Sequence, residues 1–225
     1  MKKIVTLGCI LLSFCSDAAD KKKSIESASD SLRQKVSRQE GFIADFQQQV
    51  FDEKNKLLLT NTGQVAFDKP NKFYWHTVKP ESLIVSDSKS VYVYDPELEH
   101  VNILSIDASL ASTPFALLIK HNHLKVWNDY LVKKDKNCYQ VQPQKMKGNL
   151  ERLDLCFEAH KLVSFTTYDV QKSHSVFKLS KHKKIRSKDK NLFYFTIPKG
   201  TQISDERKQA PSKNKTPLIQ DKKVK

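Results

Sequence analysis

At 225 residues the chain has room for one domain or two with a sizeable core. Its net charge of +14 suits anionic partners, but no nucleic-acid-binding motif accompanies the charge. Five scattered glycines exclude a P-loop, a dinucleotide fingerprint and a nucleophile elbow, each of which needs clustered glycines.

Residues 1–19 open with Lys2 and Lys3, continue with an apolar run from Ile4 to Cys15, and close on small residues. This is the pattern of a secretory signal peptide, with cleavage expected after Ala18 or Ala19. The apolar run is too short to span a bilayer. A lipoprotein signal is disfavoured because Phe14 precedes Cys15. The expected product is an exported, soluble protein with a domain over residues 20–208.

A helical pattern follows from about Ser24 to Gln39, with Ile25, Ala28, Leu32 and Val36 on one face and Gly41 ending it. Then come strands. Phe42, Ala44, Phe46 and Val50 alternate along one face of 42–51. Residues 56–68, 72–78, 82–87, 90–95 and 100–106 continue as a meander with short turns. In the third of these, Phe73 and Trp75 point one way and Lys72, Tyr74 and His76 the other.

The meander is interrupted at 107–123. Thr113 before Pro114 is a helix start, and Phe115, Leu118 and Ile119 share one helical face. Strands resume as CYQVQP, LERLDLCF, LVSFTTYDV and SVFKLSKHKKI, and LFYFTIP (192–198) reads as the last. A turn at 146–148 sets Cys138 opposite Cys156, Tyr139 opposite Leu155 and Val141 opposite Leu153. A structural disulfide between the cysteines fits that register and an oxidising compartment. From Asp205 onward the chain is basic and lacks apolar periodicity, so residues 209–225 read as a disordered tail.

The fold class is therefore mainly β with two short helices. About eleven antiparallel strands cannot lie flat, so the sheet curls, and two helices leave room for a hydrophobic cavity. Phe42, Phe46, Val50, Phe73, Trp75, Phe115, Leu118 and Ile119 are the candidate cavity residues. No catalytic constellation, cofactor motif or metal site stands out. Ser86 to Lys89 matches S-x-x-K only formally, at a hairpin turn, and His121 and His123 lack a third ligand.

The chain resembles the LolA family of periplasmic outer-membrane lipoprotein carriers, from about Ser29 to Lys208. The resemblance rests on ordered motifs. They are Phe42-x-Ala44-x-Phe46-x-Gln48, Pro70-Asn71-x-Phe73-x-Trp75, Val85-Ser86-Asp87 and Tyr94-Asp95-Pro96-x-Leu98-Glu99-x-Val101. Thr113-Pro114-Phe115, Gly148-Asn149-Leu150 and Asp205-x-Arg207-Lys208 complete the series. The family implies an unclosed antiparallel barrel with a helical lid over a hydrophobic cavity for acyl chains. It implies no cofactor and no catalysis, and a monomer. It implies lipoproteins as cargo, the inner-membrane LolCDE complex as donor and LolB as outer-membrane receptor. A LolB-like membrane-anchored acceptor and a secreted enzyme are the rival readings. Where the family commonly has an arginine that latches the lid, this chain has Lys69. A lysine lacks the planar fork of donors, so a weaker latch is expected.

Overall fold

The computed structural model describes residues 28–106, 127–145 and 148–207. Helix α1 spans 28–38. Twelve strands follow: β1 (Phe42–Phe51), β2 (Leu57–Asp68), β3 (Lys72–Thr77), β4 (Ser82–Asp87), β5 (Ser90–Asp95) and β6 (His100–Ser105), then β7 (Tyr130–Asp135), β8 (Cys138–Pro143), β9 (Leu150–Glu158), β10 (Lys161–Asp169), β11 (His174–Lys184) and β12 (Gln202–Asp205). All lie in one sheet, ordered β12-β6-β5-β4-β3-β2-β1-β11-β10-β9-β8-β7. The two meanders join where β11 pairs with β1. The outermost strands, β12 and β7, do not pair with each other, so the sheet is unclosed.

The contacts of α1 show how the sheet bends. Lys69, just past β2, donates to the Ser37 carbonyl at 2.6 Å, and Tyr139 on β8 shares a hydrogen bond with Ser31 at 2.8 Å. Six residues of helix rise only about 9 Å. Five strand-to-strand steps, from β2 to β8, would cover about 24 Å on a flat sheet. Both contacts can exist only if the sheet curls around the helix. Ala28, Leu32 and Val36 of α1 are buried there with Phe42, Phe46, Val65, Val132, Tyr139, Leu155, Phe165 and Phe177. This is the main core, and it lies on the inner face.

A second core lies on the outer face. Ile43, Ala66 and Phe193 are buried together, with Tyr74, Ile185 and Leu192 against them. Phe193 belongs to a 3-10 helix, Ser187–Phe193. Beyond it, Phe195 packs on Tyr92 and Tyr94, with ring centroids 5.6 and 5.3 Å away. This corrects the reading of 192–198 as a strand. Phe193 and Phe195 press onto the face of the sheet instead of extending its edge. The strand that does extend the edge is β12, parallel to β6, with Ile203 opposite Val101. β7, short and half charged, also escaped the sequence pattern.

The β8–β9 hairpin has the register its spacing predicts: Cys138 opposite Cys156, Tyr139 opposite Leu155, Val141 opposite Leu153. The two sulfurs are bonded at 2.07 Å. Tyr139, Val141, Leu153 and Leu155 are buried on the inner face, which leaves the disulfide on the outer one.

Candidate functional site

The inner face is built in cross-strand rows. One row runs Leu179, Phe46, Gly63, Thr77 across β11, β1, β2 and β3. The next runs Ala44, Val65, Trp75, Ile84, Val93 from β1 to β5. The third runs Phe42, Phe67, Phe73, Ser86, Val91. Residues directly opposite in antiparallel strands share a face, so Phe42, Phe46, Phe73 and Trp75 stand on one surface. Val50 stands on the same surface, farther along β1.

Gly63 makes the closest part of this packing possible. A Cβ there would lie 1.9 Å from the His76 carbonyl oxygen and 2.6 Å from the Phe46 ring. With only hydrogen at that point, Phe46 lies over β2 and meets Trp75 at 4.7 Å between centroids. Phe177 meets Trp75 edge-on at 5.3 Å, and Phe165 stacks on Phe177 at 4.4 Å. The Trp75 indole Nε1 donates to Thr77 Oγ1 at 3.3 Å, so the ring's polar edge is satisfied within its own strand.

Burial divides the surface in two. Phe42 and Phe46 lie under α1 and are buried. Phe73, Trp75, Ile84 and Val93, on β3 to β5, are only half-buried. Val50 is half-buried as well. Phe115, Leu118 and Ile119 lie outside the described residues, as do His121 and His123. Phe165, Phe177, Ile84 and Val93 were not singled out from the sequence. Their strands alternate as β1 does, but no motif marks those positions.

Lys69 sits at the rim of this face. Its ammonium reaches the C-terminal turn of α1, donating to the Ser37 carbonyl, while the segment around Thr113 lies outside the described residues. The physical reason is local. Gln39 N already bonds to the Lys35 and Val36 carbonyls, and Ser37 O is left facing outward for a cation. Burial beside the helix pulls the Lys69 pKa down. Below it, Val36, Phe42, Phe67, Lys69 and Leu162 line a small cavity of about 40 Å³. The Ser86 hydroxyl donates to the Asn71 carbonyl at 2.7 Å, so it pins the turn before β3.

The outer face carries a cleft of about 470 Å³, floored by Ile43, Tyr74, Leu83, Val85 and Leu192. Lys183, Arg186 and Lys188 stand around it. Burial, with the Glu81 charge adding to it, pushes the Tyr74 hydroxyl above the ordinary tyrosine range.

The fold thus defines a protein class: an unclosed sheet, antiparallel except at β12, curled around a helix, with an apolar inner face that the described helix only half covers. Residues 37–196 match the sequence profile of the family described as outer membrane lipoprotein carrier protein LolA. The outer-membrane lipoprotein carrier protein of Shewanella loihica is 37% identical over 183 residues, which is 81% of this chain and 88% of that one. The protein of the same description from Shewanella frigidimarina is 35% identical over 216 residues, 93% of this chain and 99% of that one. Among solved structures, a LolA superfamily protein from Nitrosomonas europaea aligns over 75% of this chain and 98% of its own, with 12% identity and a TM-score of 0.44. The sequence matches are the ones that decide: the chain belongs to the LolA family.

Proposed function

We propose that this protein is a periplasmic carrier of lipoproteins that holds their acyl chains against the inner face of its sheet. The observation that carries the reading is the half-buried apolar patch of Phe73, Trp75, Ile84 and Val93, continuous with the packed floor of Phe46, Phe165 and Phe177. The names of its relatives point the same way. In this reading the chain is exported by its N-terminal segment and cleaved near residue 18 or 19. It then receives cargo from an inner-membrane LolCDE exporter, delivers it to LolB, and performs no catalysis.

The energetics set the design. Burying acyl methylenes gains about 0.8 kcal/mol for each CH₂. A site that captured all of that for several chains would never release them. An open row beside a filled core captures part of it. The segment 107–123, with the apolar residues Phe115, Leu118 and Ile119, is the proposed movable lid, and Lys69 is its proposed latch.

The test is purification from the periplasm followed by lipid and protein mass spectrometry. Acylated proteins should co-purify, and Trp75→Ser together with Phe73→Ser should deplete them while the fold is retained. Recovery of the native protein without any acylated partner defeats the proposal. Mass spectrometry of the mature N-terminus checks the cleavage site in the same sample.

A further inference from the structure

The hairpin formed by β1 and β2 runs past its neighbour. The first β2–β3 pair is Gly63 with Thr77, so residues 57–61 of β2 are paired with β1 alone. That overhang begins with three consecutive leucines. Leu57, Leu58 and Leu59 are 46%, 57% and 43% exposed, although leucine gains from leaving water.

Their arrangement narrows what they meet. Leu59 is opposite Val50 on the inner face. The register then slips by one residue, and Leu57 is opposite Phe51 on the other face, with Leu58 as the extra residue between. Phe51 stacks on His174 at 4.8 Å, which stiffens that side. The tip is therefore apolar on both faces. A protein partner would cover one face of a hairpin, whereas an apolar fluid surrounds both.

The charges fit the same surroundings. Lys54 and Lys56 are exposed at the turn. The Asp52 carboxylate is occupied there, accepting hydrogen bonds from the backbone N–H of Lys54 and of Lys56, each at 2.9 Å. Glu53 is the opposing charge at the tip, and in the adjoining β10–β11 turn Val170 is exposed while Lys172 pairs with Glu151. Lysines flanking a short apolar tip can keep their ammonium groups among phosphates while their stems lie along the acyl boundary. The chain as a whole carries +14 charges.

We infer that the β1–β2 hairpin is a membrane-contact wedge, which dips Leu57, Leu58 and Leu59 into the surface of an anionic phospholipid bilayer. Among the described residues no helix is long and apolar enough to cross a bilayer, so this contact is peripheral. It goes beyond the carrier reading and needs no cargo. Its role there would be to bring the inner face, which Leu59 and Val50 extend, to the lipid boundary where acyl chains leave or enter.

The test uses the exported chain, free of cargo, in flotation with phosphatidylethanolamine–phosphatidylglycerol vesicles and with phosphatidylcholine vesicles. The protein should float with the anionic vesicles. The triple variant Leu57→Thr, Leu58→Thr, Leu59→Thr should lose about tenfold or more in partitioning, since each leucine side chain contributes several buried methylenes. The C-terminal basic residues are the same in both proteins, so they cannot produce the difference. A second measurement does not depend on the triple variant folding. An environment-sensitive NBD label on Leu58→Cys should shift to the blue with anionic vesicles, and one on Lys89→Cys, at the far end of the sheet, should not. Equal flotation of wild type and triple variant, or an unshifted label at position 58, overturns the inference. Either result would make the leucines a protein-docking edge. Neither bears on whether acyl cargo binds the inner face.

Discussion

The Lys69 ammonium caps the last turn of α1 through the Ser37 carbonyl. A cation near a helix C-terminus contributes about 0.3–1 kcal/mol. Lys69→Met keeps the length of the side chain and removes the charge. It should lower stability by about that amount and speed amide exchange at the end of α1, which hydrogen-exchange mass spectrometry would read. Lys69→Arg keeps the charge and adds donors in a planar fork. It should slow transfer of cargo to an acceptor, and equal transfer rates would count against a latch. Asp154 presents a different balance. Burial raises its pKa, while Arg152 and Tyr168 partly offset this. Arg152 Nε lies 3.1 Å from Asp154 Oδ1, yet neither atom achieves good hydrogen-bond geometry, and the guanidinium also lies over the Tyr168 ring at 3.7 Å. The folded state thus holds the Asp154 proton more tightly than the unfolded chain does. Its contribution is most favourable below the ordinary carboxylate pKa and declines as pH rises through the folded value. Asp154→Asn should remove that decline, so that thermal unfolding midpoints of variant and wild type diverge as pH rises above the ordinary carboxylate range.

At the scale of elements, the 3-10 helix and the segment after it hold the outer face. Phe193 is fully buried beneath Ile43 and Ala66. Phe193→Ala should cost about 3–5 kcal/mol, measured by urea unfolding. The damage falls on the face opposite the proposed acyl-chain site, so if that site is right the folded fraction should still bind acyl chains. This element also shows where sequence reasoning reached its limit. The alternation of Phe42, Ala44 and Phe46 reports a strand because its periodicity and its pairing with β2 are local facts. LFYFTIP is just as aromatic, but apolar periodicity cannot distinguish a segment laid on a sheet from one paired within it. The β8–β9 hairpin was legible to the residue because a short turn ties register to spacing. The floor residues Phe165 and Phe177 were legible as strand residues and not as site residues, because only the closure of β11 onto β1 brings them to Trp75. The contact of Lys69 with Ser37 was not legible, since the helix a flanking lysine meets is chosen by tertiary packing.

For the whole molecule, β1 is the seam. It pairs with β2, its neighbour in the chain, and with β11, more than a hundred residues later. Such non-local pairing makes folding slow relative to helical proteins of similar size. The disulfide works far from that seam, closing a separation of 18 residues between adjacent strands. Replacing both cysteines, Cys138→Ala with Cys156→Ala, should cost about 3 kcal/mol by restoring freedom to the unfolded chain. Because the bridge lies on the outer face, binding to the inner face should survive, and calorimetry alongside a cargo-binding assay would separate the two effects. The parallel strand β12 has a consequence for handling the protein. It carries the chain along β6 to Arg207, whose Nη1 donates to Ser90 Oγ at 3.2 Å beside the β4–β5 turn. That turn and the β1–β2 tip are at opposite ends of the strands. A sensor chip or bead coupled just past Arg207 would therefore present the leucine tip outward, away from the support. Coupling through the exposed lysines of the tip would hide the surface under study.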